Sequence, residues 1–399
     1  MPRFEPFAGL RYDRTRTDLA LVTAPPYDVI DAADRQALAE RDRHNVVHID
    51  VPVDDGSGAD PYVAAAERLH AWQQDGVLTI DPAPSFTAYR MTFTDEAGHR
   101  HQTLGVIGAL EVSRAADGGD VLPHERTTPK ARSDRLRLLE ATEANLSAVW
   151  GLSLAHGLSD AIAHDTKPDA EWTDPGGVTH EVWRIDDPNA VDRISALGSS
   201  APVVIADGHH RYDVALTYRD ERRKRAEGVA GPYDLTLAML VELAPDQLVV
   251  QPIHRLLNGF GSMDALVAAL DLSFTFRDAG PITPALGDRL VDEGALALLR
   301  PDGTAVLLHP KPGAFDGVDD LDSARLDHAL AGLPHEQTYQ HGVDLTAAKV
   351  ASGEADAAVV LRPVTVAAIE AMANARGLMP PKSTFFAPKP ATGVVIRLL

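Results

Sequence analysis

Cysteine is absent from all 399 residues. Disulfides, thiolate nucleophiles, Cys-ligated zinc and iron–sulfur clusters are therefore excluded. Positive charge is in deficit: 37 Lys and Arg stand against 58 Asp and Glu, a formal charge of -21. Such a chain repels nucleic acid and anionic membrane in the mean field, so a DNA-binding role would need a local basic patch. No stretch approaches the roughly 18 apolar residues of a membrane span, so no membrane partner is expected. The start, MPRFEPFAGLRYDR, shows no basic segment followed by an apolar run, so no signal peptide is read there and the expected location is the cytoplasm. A GxxxxGK[ST] phosphate loop, a GxGxxG turn, HExxH and GxSxG are all missing.

What is present suits a globular protein. Apolar residues make up 45% and charged residues 24%, enough to bury a sizeable core. Helical patterns and apolar strand-like runs alternate irregularly, which predicts an α+β fold around a mixed sheet. Helices are expected over 31–43, 61–74, 133–145 and 210–219, and later over 264–271, 321–331, 344–352 and 364–376. Strands are expected through Val46, Val47 and Ile49, over 86–93, 101–112, 202–206, 235–243 and 248–253, in a hairpin at 295–309, and at 394–398. Three parts follow: an N-terminal α/β part (1–100), a core (101–258) and a C-terminal α/β part (259–399) packing back on the core.

The sharpest local pattern is Ile205-Ala206-Asp207-Gly208-His209-His210-Arg211-Tyr212, a buried strand running through a turn into a helix. Helix-start N–H groups lack intrahelical acceptors, and the dipole adds positive charge there. Gly208 clears space for a ligand to approach the backbone. His209 and His210 add donors, and Arg211 can grip phosphate through two parallel hydrogen bonds. Asp207 can serve as helix cap, magnesium ligand or base. The stretch reads as a phosphate cradle built without a phosphate loop; the bland alternative is an ordinary Asp-Gly turn.

A second constellation is Leu122-Pro123-His124-Glu125-Arg126-Thr127-Thr128-Pro129-Lys130, followed by Arg132 and Arg135. It sets one carboxylate in a locally basic patch. Lys130 and Arg132 can hold polyphosphate, and Glu125 can take a proton from a hydroxyl. A solvated loop with a few ion pairs is the competing reading. Weaker segments present Tyr27 and Asp28 after Pro25-Pro26, His254 at the end of QPIHR, and Lys382 after Pro380-Pro381. With His124 and Thr127, these are candidate substrate contacts. A metal-hydrolase site from His209, His210, His124 and His254 is disfavoured, since neighbouring helix residues point apart.

APPYDVI (24–30), HERTTPKARSDRLRLLEATEANLSAVW (124–150), IADGHHRYDVAL (205–216), QPIHR (251–255) and MPPKSTFFAPKPATG (379–393), in this order, resemble the bacterial and archaeal family known as domain of unknown function 1015. Separately, the DGHHR element looks like the phosphate-binding element of the ParB and sulfiredoxin superfamily. That superfamily includes free-serine kinases, which move a nucleotide phosphate to the hydroxyl of L-serine. The resemblance implies a ParB-like strand–turn–helix within the core, Asp207 to Arg211 as the phosphate element and Glu125 as the base.

The expected function is therefore a small-molecule kinase, with free L-serine as acceptor and ATP or ADP as donor. Glu125 would take the hydroxyl proton. Gly208, His209, His210, Arg211, Lys130 and Arg132 would hold phosphate, and Mg²⁺ would bind with help from Asp207. Two other classes fit the same cradle: a nucleotide-binding or partitioning-type switch without turnover, and a phosphatase or nucleotidase. The sequence leaves a homodimer open.

Overall fold

The computed structural model describes residues 1–54, 56, 58–95, 98–123, 132–380 and 382–399, with side chains except those of Arg132 and Ser133. The fold is α+β. The chain divides into two units: one holds residues 1–93, 101–248 and 388–399, the other 94–100 and 249–387. The sequence divides at about 100 and 258; the structure groups most of those first two parts with the last dozen residues, and places 94–100 and 249–258 in the other unit.

The first unit is built on a nine-stranded mixed sheet. Its path runs Val121–Pro123, Val203–Asp207, Val149–Ser153, Leu235–Glu242, Arg100–Glu111, Phe86–Thr94, Thr179–Ile185 and Ala170–Thr173, with Phe4–Glu5 beside Arg100–Glu111. Val203–Asp207 runs parallel to Val121–Pro123, and Leu235–Glu242 runs parallel to Val149–Ser153. Alternate residues Phe86 and Ala88, Val203 and Ile205, and Ala238 and Leu240 point to one face. There they pack on Ile194 of the helix Pro188–Gly198 and on Tyr212, Ala215 and Leu216 of the helix His209–Arg225. A smaller cluster joins Leu10, Ile49, Leu69, Trp72, Leu138 and Ile396. That cluster draws the N-terminal helices, the helix Arg132–Thr142 and the C-terminal segment into the same unit.

Two strand expectations change. Val47–Asp50 is a helical turn, not a strand. Asn45 decides it: its side chain accepts from Val47 N–H at 3.0 Å and donates to the Leu21 carbonyl at 2.7 Å. A local side-chain turn outweighs the β-branched run. The expected C-terminal strand shrinks to Arg397–Leu398, preceded by a bridge between Ile396 and Leu10.

The second unit has a six-stranded antiparallel sheet: Phe274–Pro281, Thr304–Pro310, Leu296–Leu299, Ala357–Val360, His254–Asn258 and Glu336–Gln340. Leu296, Leu298 and Val359 face one helical layer; Ala297, Leu299 and Ala358 face the other. His254 lies buried in this sheet, where its Nδ1 accepts the Leu361 N–H at 3.3 Å. Burial, with Arg255 and His341 nearby, pushes its pKa down to about 4. The unfolded chain gains this proton near pH 6.5, whereas the folded chain refuses it until about pH 4. Stability should therefore be unaffected above pH 6.5 and fall by about 3 kcal/mol between there and pH 4. Urea titrations over that range check this. His254→Gln should flatten the slope, and an equal slope in that variant would contradict the assignment.

Candidate functional site

The strand Val203–Asp207 lies one in from the edge of its sheet and is apolar, and its first four residues are buried. Its pairing to Val149–Ser153 slips between Ile205 and Asp207, an irregularity that re-aims the last residue. Gly208 follows at φ 87°, in the left-handed region, and the helix His209–Arg225 starts at once. A Cβ at Gly208 would sit 2.9 Å from Arg211 Nε, so the turn needs glycine for its backbone and for the neighbouring guanidinium. No side chain at residue 208 caps the helix. Asp207 does not serve as its N-cap either, that position being Gly208. The Asp207 carboxylate accepts from Arg211 Nη2 at 2.6 Å and meets Lys389 Nζ at 2.9 Å.

Arg211 is half structural. Besides Asp207, it donates to the Ala148 carbonyl through Nη1, while its buried Nε has no hydrogen-bond partner among the described residues. The buried Nδ1 of His210 likewise has none among the described residues. His209 is buried.

Lys389 is the residue that sequence reasoning missed. It lies between Pro388 and Pro390, and its ammonium bridges Asp207 and Asp28. Burial opposes its charge, but Asp207 and Asp28 outweigh burial and hold its pKa above the ordinary lysine value. A paired bridge delivers it: Ala24 N–H donates to the Thr392 carbonyl at 3.3 Å, and Thr392 N–H returns to Ala24 at 2.8 Å. Pro25 and Pro26 then lead into the short turn Tyr27–Val29, which carries Asp28. A lysine flanked by prolines was the available signal: two fixed φ angles and two missing N–H groups stiffen the segment that presents the charge.

Behind this lies a buried ion pair. Arg135 Nη1 meets Asp50 Oδ1 at 3.1 Å, and Nη2 holds the Asp50 carbonyl. The guanidinium stacks 4.3 Å over the Tyr27 ring. Burial raises the Asp50 pKa; Arg135 and Arg211 oppose it. Burial likewise raises that of the Tyr27 hydroxyl, against Arg211 and Arg135. Asp50, Arg135 and Arg211 line one small cavity together with Asn145 and Ser147.

The structure thus gathers Tyr27 and Asp28 with Asp207, Gly208, His209, His210 and Arg211. His254 and Lys382 belong to the second unit. There Lys382 offers its carbonyl to Arg255 at 2.9 Å. His124, Glu125, Thr127 and Lys130 lie outside the described residues, as does the side chain of Arg132. Asp207 and Asp28 offer the hard carboxylate oxygens that Mg²⁺ takes, and both are ion-paired to Lys389. No described helix is long and apolar enough to cross a membrane.

Fold and site together define an α+β protein with a charged strand–turn–helix site braced by a C-terminal lysine. The family described as Protein of unknown function (DUF1015) matches residues 4–329, and the chain belongs to that family. No curated protein matches it. Solved structures similar to it include a conserved hypothetical protein from Pyrococcus furiosus, at 12% identity and TM-score 0.35, covering 72% of this chain and 91% of that one. A free serine kinase in complex with AMP is similar at 12% identity and TM-score 0.35, covering 69% and 89%. SbnI with a C-terminal truncation, from Staphylococcus aureus, is similar at 14% identity and TM-score 0.36, covering 72% and 85%.

Proposed function

We propose that this chain is a phosphotransferase that moves a phosphoryl group from ATP or ADP to the hydroxyl of a small metabolite, with free L-serine as the acceptor. The observation that carries the reading is the junction at Gly208. A helix start that Gly208 leaves without a side-chain cap stands beside Arg211, and Lys389 bridges Asp207 and Asp28. Phosphoryl transfer needs positioned charge more than covalent chemistry, and this site supplies both signs on rigid elements.

In this reading the first-turn N–H groups and Arg211 receive the phosphates. Lys389 meets the negative charge that builds on the transferring group. Asp207, with Asp28, would hold Mg²⁺, which when bound neutralises phosphate charge. The serine oxygen bonds to phosphorus as the bond to the leaving nucleotide oxygen breaks, and Glu125 takes the hydroxyl proton. The resemblance of the DGHHR element to that of free-serine kinases supports the roles of Asp207 to Arg211 and of Glu125.

Arg211→Ala tests the cradle. Calorimetry with ADP and Mg²⁺ should show affinity lowered at least tenfold, the scale of one lost charge-assisted bond at about 1.5–3 kcal/mol. Undiminished affinity in a folded variant would remove Arg211 from the phosphate site.

A further inference from the structure

We infer that Tyr89 is a positioning residue for Lys389, acting through the Ala391 amide at the end of a buried hydrogen-bonded chain. Tyr89 lies on Phe86–Thr94 and is fully buried. Its hydroxyl is 2.7 Å from His180 Nδ1 and accepts the Ala391 N–H at 3.2 Å. His180, also buried, sets its Nε2 3.2 Å from Asp174 Oδ2. Asp174 in turn accepts the Val178 N–H at 2.9 Å, and its pKa lies below the ordinary value despite partial burial, because His180 and backbone N–H groups bond its charged form.

With a neutral His180 these contacts set the direction of every bond. Asp174 accepts the hydrogen bond from Nε2–H, which leaves Nδ1 as an acceptor. Tyr89 must then donate to Nδ1, and its oxygen is left to receive Ala391. All the bonds point the same way, so each polarises the next. Rings lock the chain in place: His180 stacks on Trp172 at 4.9 Å and on Tyr89 at 5.8 Å.

The position of Ala391 gives the chain its purpose. Pro390 has no N–H, so Ala391 carries the first amide after Lys389 that can be anchored. Thr392 is tied to Ala24 on the far side of it. The lysine is thereby held from two directions: Ala24 sets its alignment with Asp28, and Tyr89 sets its depth against the sheet. This inference rests on the reading of Lys389 as part of the phosphate site only for its functional consequence; the positioning itself is measurable without a substrate.

Tyr89→Phe removes the hydroxyl and keeps the ring stack. The Ala391 amide should then exchange its hydrogen about tenfold faster, the measure of one lost buried hydrogen bond. Acetylation of Lys389 by an N-hydroxysuccinimide ester, followed by peptide mass spectrometry, should quicken severalfold while the other lysines keep their rates. Unchanged exchange and labelling would overturn the inference, and so would faster labelling of every lysine, the signature of general loosening. Asp174→Asn, at the half-exposed end of the chain, serves if Tyr89→Phe does not fold, with the same effects in smaller measure. For function, Tyr89→Phe should weaken ADP binding in the parent but add nothing in a Lys389→Met background. Additive effects would contradict action through Lys389. A parent that binds no ADP would remove the proposed function and leave the labelling experiment to decide the positioning.

Discussion

Lys389→Met is expected to reduce phosphoryl transfer at least 100-fold. The replacement keeps the length of the side chain and deletes its charge. Removing one preorganised donor from a transition-state site costs about 10²–10³ in rate. Asp28 and Asp207 also lose the ammonium between them, at 2.9 Å from Asp207. Arg211 still holds Asp207, so the unit should fold with a loss of about 1–3 kcal/mol. Turnover and urea midpoint, measured on the same preparation, separate the two effects. A variant that turns over at the parental rate would place Lys389 in the scaffold rather than in the chemistry.

Arg135→Met should be the most destabilising single change near the site. Asp50 is 3% exposed and Arg135 is its only charged partner within ion-pair distance among the described residues. Leaving a buried carboxylate alone costs about 3–5 kcal/mol. The deficit has a defined pH dependence. Burial already raises the Asp50 pKa, and losing Arg135 raises it further. The folded variant would then bind the proton that the unfolded chain gains only near pH 4, so the deficit should narrow as the pH falls toward about 4. Asp50→Asn in the same background should recover most of the loss at neutral pH. Equal destabilisation of the single and double variants would show that Arg135 acts through its stacking on Tyr27.

The residues that make the strand–turn–helix were legible because they are consecutive. An apolar run, an Asp-Gly turn and a helical pattern predict the strand, the break and the helix, and all three appear where expected. Asp28 was legible as a rigidly presented carboxylate, though not its partner. Its pairing with Lys389 was invisible because the contact spans 361 residues and depends on the bridge between Ala24 and Thr392. The assignment of Lys382 and His254 to the second unit has the same origin. Their segments pair with each other, Val249–Gln251 against Phe385–Ala387, and that local ladder draws both into the second unit. The next residue, Pro388, begins the segment that belongs to the first. Periodicity reports which face of an element is apolar; it carries no record of which distant segment crosses it. The turn at Val47–Asp50 shows the complementary failure, where one Asn side chain outweighs a β-branched run.

The central claim is tested most directly by incubating the full chain with L-serine, Mg²⁺ and either ATP or ADP, and reading O-phosphoserine by mass spectrometry. The predicted result is O-phosphoserine formed by the parent and lost in Glu125→Ala, Arg211→Ala and Lys389→Met. Nucleotide bound without any phosphorylated product, or phosphate released without an acceptor, would contradict a serine kinase.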